Sequence, residues 1–149
     1  MLHCARQAGI ELDLRLCPQI SLLPHFNSIF EEADRLVSEL LANKLPFTAM
    51  LTFDDLSAAG ALRAFDRDGM RVPDDCSLIG FDDIPYAQLV RPPLTTMHQP
   101  LEEMGAIAVE YLLAQMSRKP GDPPLDALAR TVKADLVVRE STRVCKGKP

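Results

Sequence analysis

The chain has 149 residues, enough for one domain whose core needs neither disulfides nor a structural metal. Hydrophobic residues make up 47% and charged residues 25%, with no low-complexity tract, which excludes a disordered or fibrous chain. Its 21 acidic and 16 basic side chains leave a net charge of -5, so no overall positive field favours phosphate backbones or anionic membranes.

In chain order, Phe26, Ile29, Phe30, Ala33, Leu36, Val37, Leu40 and Leu41 recur at offsets of three and four, which predicts an amphipathic helix over 26–41. Asn27 and Ser28 are its candidate N-caps, and Ser28 stands in capping-box spacing with Glu31. After Pro46 the short apolar run 48–52 has the character of a strand buried on both faces of a parallel sheet. A helix is expected from Asp55 to Asp68, stopped by Gly69. Pro73 opens a second buried strand, 76–81, which ends in Asp82 and Asp83. A loop with Pro85, Pro92 and Pro93 leads into a strand over 94–97, and a further helix starts near Pro100 with Leu101, Met104, Ala108, Tyr111, Leu112 and Met116 along one side. Residues 131–139 read as a last strand, and the tail with Arg143, Lys146 and Lys148 as frayed and solvated. Helices alternating with strands predict an α/β fold, a mostly parallel sheet flanked by helices.

Such sheets bind ligands at the carboxyl ends of their strands, where two acidic pairs fall: Asp54 with Asp55, and Asp82 with Asp83. Carboxylates there accept hydrogen bonds from ligand hydroxyl or amino groups. The alternative is that one member of a pair caps a helix. A general acid and base would need a particular carboxylate separation. No GxSxG elbow, phosphate-binding GxxxxGK[ST], HExxH or GxGxxG is present, so no enzymatic activity is expected. His98 beside Gln99 either lines a cleft or is a partly exposed structural histidine, while His3 and His25 have no evident partners, and Ser57 reads as a surface or packing residue. Cys4, Cys17, Cys76 and Cys145 are scattered without ligand spacing and read as reduced thiols, so neither metal nor cofactor is expected. No apolar run approaches the roughly 20 residues a bilayer-spanning helix needs. With no leader pattern after Met1, the chain reads as cytoplasmic.

Four stretches then carry a family resemblance. Residues 47–62, FTAMLTFDDLSAAGAL, hold a strand, an acidic pair and a small-residue helix; 69–83, GMRVPDDCSLIGFDD, follow a GxxVPxDxSxxGFDD pattern; 92–100, PPLTTMHQP, follow PPLTTxxQP; and 136–142 read LVVREST. In this order they resemble the LacI/GalR (lactose-repressor-type) transcription regulators over about 47–142, with weaker matching before Leu45 and a first stretch, 1–10, similar to the end of a helix preceding AGI. The resemblance implies a periplasmic-binding-protein-like fold, two α/β lobes with a ligand cleft between them. It implies that this chain is a partial effector-binding domain, 1–142, with a tail at 143–149. Residues 1–98 and 131–142 would form the C-terminal lobe, and 99–125 would supply a helix belonging to the N-terminal lobe, whose remainder would precede Met1 together with the hinge and the DNA-reading helix-turn-helix. The apolar face of that helix would then lack its partner.

Carried over residue by residue, the family's ligand contacts fall on Asp54, Asp82 and Gln99, with Phe53 and Leu101 as apolar lining. Many relatives have Asn where this chain has Asp54, and an ionised Asp only accepts, so the ligand group facing it should be a donor. The expected partners are a small-molecule effector, sugar or nucleoside-like, and a second copy of the chain, with no DNA contact by the chain itself. The homodimer would form through Leu56, Ala59, Ala61 and Arg63 on the helix after the first acidic pair and through Tyr86, Leu89 and Val90 after the second. The rival readings are part of a solute-binding protein of a sugar transporter and a small α/β enzyme.

Overall fold

The computed structural model describes residues 7–9, 11, 13–20, 28–119 and 130–144. Expectations for most of 1–10, for Phe26 and Asn27, and for 120–129 and 145–149 lie outside them. Helix α1 (Ile29–Ala42) is capped as its spacing predicts: the Glu31 carboxylate accepts from the Ser28 N–H at 3.0 Å. Helix α2 (Asp55–Asp68) ends at Gly69, whose φ of 74° is the left-handed conformation that favours glycine at a helix stop. The two helices pack closely because of Gly60: a Cβ there would stand 2.2 Å from the Phe30 carbonyl oxygen.

Strands β1 (Ala49–Leu51), β2 (Ser77–Asp82), β3 (Thr95–His98) and β4 (Asp135–Val137) lie in that order in one sheet. The first two pairings are parallel, with Leu51 opposite Ile79 and Asp82 opposite His98, and β4 closes the sheet antiparallel to β3. The core gathers Val37 of α1, Ala58, Ala61, Ala64 and Phe65 of α2, and Cys76, Leu78 and Leu94 from the sheet side. Burial pushes the Cys76 thiol up to about 11, so it stays protonated at neutral pH, in line with an inert thiol.

Three expectations are corrected. Strand β1 is not buried on both faces: among the described residues it stands at the edge of the sheet, Leu51 is 51% exposed, and a cavity of about 560 Å³ lined by Leu16, Ile20, Val37, Leu40 and Met50 lies beside it. The last strand shrinks from 131–139 to Asp135–Val137; at its far end the Arg139 N–H donates to the Thr95 hydroxyl rather than to a backbone carbonyl. Arg143 is not frayed, since its guanidinium pairs with the Asp74 carboxylate at 2.8 Å.

Helix α3 (Leu101–Met116) buries none of its residues, and Leu101, Leu112 and Met116 are 62%, 59% and 81% exposed. A helix of this length is marginal in water without a packed face. Its amides should therefore exchange with solvent orders of magnitude faster than those of β2 in a hydrogen-exchange experiment. Equal protection would mean that the helix has acquired a partner.

The turn before β2 is held by Arg71, whose Nε and backbone N–H both donate to Asp75 Oδ2 at 2.9 Å. The Arg71 guanidinium and N–H lower the Asp75 carboxyl from 3.8 to about 2. A depressed carboxyl stabilises the fold above its unfolded value and loses that contribution as pH falls through the folded one. Asp75→Asn should accordingly be less stable than the parent at neutral pH, with the gap closing between about pH 4 and pH 2 in urea titrations. A gap that persists at pH 2 would show that the pairing is not its source.

Candidate functional site

Because β1, β2 and β3 run parallel and in register, the residues that follow them share one edge of the sheet. Asp54 comes after β1, Asp82 ends β2, and Gln99 follows β3.

Asp54 is the N-cap of α2. Its Oδ1 accepts from the Ser57 N–H at 2.6 Å, and its own N–H donates to Ser57 Oγ at 2.9 Å. The cap thus falls on the first member of the pair, which leaves Oδ2 without a hydrogen bond among the described residues. Ser57 is 1% exposed with its hydroxyl committed to Asp54, so it is a capping and packing residue rather than a surface one.

Asp55 turns the other way, into the fold, and is 1% exposed. Its Oδ1 accepts from Thr96 Oγ1 at 2.6 Å and its Oδ2 from the Ile84 N–H at 2.9 Å. Burial raises its carboxyl above the ordinary range, against the lowering effect of those two bonds. A Cβ on Gly80 would stand 2.2 Å from Asp55 Oδ1, so the β2 backbone can approach this carboxylate only as glycine.

Asp82 and Asp83 form a corner with φ of 105° and 57°, both in a region non-glycine residues rarely adopt. The Asp82 carboxylate accepts from the Gln99 side-chain amide. Asp83 accepts from Arg139 Nη2 at 2.6 Å, with both side chains largely out of water, and its other oxygen lies 3.0 Å from His98 Nδ1. His98 is 52% exposed in its side chain yet tied to Asp83, the arrangement of a partly exposed structural histidine.

Phe53 and Leu101 present apolar surface, 65% and 62% exposed. The edge thus offers carboxylate oxygens, one side-chain amide and an exposed aromatic ring, a set suited to binding a hydroxyl-bearing ligand. Among the described residues no cluster of His, Cys, Asp and Glu is arranged to hold a metal. The large cavity lies on the outer side of β1 and is lined by neither Asp82 nor Gln99.

Of the surface residues expected at a dimer contact, Leu56, Tyr86 and Leu89 are 43%, 46% and 70% exposed, and Val90 leans on the core. Ala59 and Ala61 are both buried within the chain itself, where small side chains let α2 meet its neighbours. Arg63 points toward α1, over the Phe30 ring at 5.6 Å and within 3.6 Å of Asp34. Thr96, Arg139 and Ser141 were not singled out from the sequence, yet they fasten the edge; Ser141 Oγ accepts from the Thr95 N–H at 2.8 Å and donates to the Leu78 carbonyl at 2.6 Å. Their one signal was that all three lie inside motif stretches, Thr96 in 92–100 and Arg139 and Ser141 in 136–142.

A family model for a periplasmic binding protein-like domain matches residues 2–142. The HTH-type transcriptional repressor CytR of Escherichia coli (strain K12) is 37% identical over 138 residues, which cover 93% of this chain and 38% of that protein. A LacI family transcriptional regulator from Arthrobacter sp. FB24, solved in complex with lactose, is similar with a TM-score of 0.66 and 38% identity over 78% of this chain and 43% of that one. The lac repressor dimer bound to operator and the anti-inducer ONPF gives a TM-score of 0.65 and 29% identity over 76% of this chain and 38% of that one. The chain spans about two-fifths of the length of these relatives, which are transcription regulators and not enzymes. The strand-end edge, the mostly parallel sheet and these likenesses agree: the chain belongs to the LacI/GalR-type transcription regulators and has the periplasmic-binding-protein-like fold of their effector-binding domain.

Proposed function

We propose that this chain is the effector-sensing and self-associating part of a cytoplasmic LacI-type regulator, with Asp54, Asp82 and Gln99 as polar contacts and Phe53 and Leu101 as apolar lining of one cleft wall. The observation that carries the reading is the delivery of those three polar side chains by three adjacent parallel strands to one edge. A sugar suits it: hydroxyls donate to the free oxygen of Asp54, and the exposed Phe53 ring offers a flat apolar face. The relative solved with lactose supports that ligand class. Helix α3 supports the division into lobes, 1–98 and 131–142 on one side and 99–125 on the other, because it leaves the sheet edge and buries nothing against it. With a net charge of -5 the chain makes no operator contact of its own.

A two-lobed cleft encloses its ligand from both sides, so this wall alone leaves the hydrogen bonds open to water. If the opposite wall supplies two or three hydrogen bonds at about 1 to 1.5 kcal/mol each, affinity should fall by roughly one to three powers of ten without it. Calorimetry with lactose, ribose and adenosine, on the chain alone and with the rest of the two-lobed domain supplied, should show that difference. Micromolar binding by the chain alone that disappears in Asp82→Ala would place a complete site on this half.

Self-association rests on Leu56, Tyr86 and Leu89, exposed apolar side chains on α2 and the loop after β2. Sedimentation should find a dimer at tens of micromolar that Leu89→Asp converts to monomer. A monomeric parent chain at that concentration would refute the assigned surface.

A further inference from the structure

We infer that Asp55 is a positioning residue for the ligand-binding edge, its two hydrogen bonds locking together the three chain segments that carry Asp54, Asp82 and Gln99. The inference rests on the cleft wall proposed above.

The argument is one of connectivity. Asp55 directly follows Asp54 in the first turn of α2. Its Oδ2 holds the N–H of Ile84, two residues beyond Asp82, and its Oδ1 holds Thr96, three residues before Gln99. Each strand end bearing a proposed ligand contact is therefore tied to one buried carboxylate. The corner at Asp82 and Asp83 needs such support, because two successive non-glycine residues there have positive φ, a conformation that persists only where the surroundings over-determine it. Arg139 and His98 grip the corner through Asp83 from the β3–β4 side, and Asp55 grips it from the helix side through the next peptide.

The chemistry of the group also fits. Two oxygens face two donors, the Ile84 N–H and the Thr96 hydroxyl, so a carboxylate satisfies both; an amide of the same shape holds both only with the Thr96 hydroxyl turned to accept, and a side chain without acceptors holds neither. Gly80 keeps β2 clear of the carboxylate, and Thr96 is fully buried, so no water can replace a lost partner without repacking.

The test reads the edge without a ligand. In the full chain, Asp55→Leu, of similar shape but without an acceptor, and Asp55→Ala are compared with the parent by nuclear magnetic resonance, following the side-chain amide of Gln99, the carboxyl carbon of Asp82, and hydrogen exchange at Ile84 relative to residues 77–80. Positioning predicts that in both variants the Gln99 and Asp82 signals move and Ile84 exchanges at least tenfold faster relative to β2. Where Asp55→Ala does not fold, the Leu variant, which leaves no cavity, decides. A lowered unfolding midpoint with unmoved Gln99 and Asp82 signals and an unchanged Ile84 ratio would make Asp55 a structural residue only and overturn the inference. In a second arm, millimolar lactose is added with the rest of the two-lobed domain supplied. If it shifts the parent's Gln99 and Asp82 signals, binding should weaken at least tenfold in the Leu and Ala variants, and undiminished binding overturns the inference. If lactose, ribose and adenosine shift nothing while the ligand-free changes appear, the ligand reading fails and the positioning role stands.

Discussion

The ion pair between Asp83 and Arg139 is the tie on which the carboxyl edge of the sheet depends. It joins residues 56 apart in sequence at 2.6 Å, and both side chains are about seven-eighths withdrawn from solvent. Arg139 also donates to the Leu94 carbonyl at 2.8 Å, and its backbone N–H to Thr95 Oγ1 at 2.9 Å. With β4 only three residues long, these bonds and those of Ser141 hold the end of the chain on the sheet more than the strand ladder does. Removing one partner of a pair this withdrawn from water leaves an uncompensated charge, which costs about 3 to 5 kcal/mol in fully buried cases. Without the pair, the corner at Asp82 loses its outer support and the short last strand loses its anchor.

What the sequence made legible was local. The helix limits at Ser28 and Gly69, the strand positions and the acidic pairs at strand ends all follow from spacing within a few residues. What stayed hidden depends on partners far along the chain. Asp54 and Asp55 are neighbours with the same side chain; one caps a helix within three residues of itself, and the other bonds to groups 29 and 41 residues away. No pattern in the sequence separates those two roles. The exposure of β1 was hidden for a similar reason: an apolar run of three to five residues has the same appearance whether a sheet continues past it or stops.

The division of polar labour within the edge explains how the proposed ligand contacts and the structural contacts come to sit side by side. A parallel sheet sends every strand toward the same rim, so the rim collects both the loops that must be fastened and the side chains free to meet a ligand. Of the four carboxylates there, Asp55 and Asp83 are satisfied internally, Asp54 commits one oxygen, and Asp82 shares one with Gln99. The internally satisfied pair belongs to the scaffold, and on the proposed reading the other two present what remains to solvent.

That partial commitment has a further consequence at Asp54. The bond from the Ser57 N–H orients the carboxylate before any ligand arrives, so its outer oxygen is fixed in place by the same contact that starts α2. Asn caps helices about as well as Asp. The two residues can therefore exchange at this position with little effect on the helix, while the outer atom changes from an acceptor to an amide donor. On the proposed reading, ligand preference and helix stability are separable at this residue because one oxygen serves each, so a change between Asp and Asn here would retune recognition while leaving the start of the helix intact.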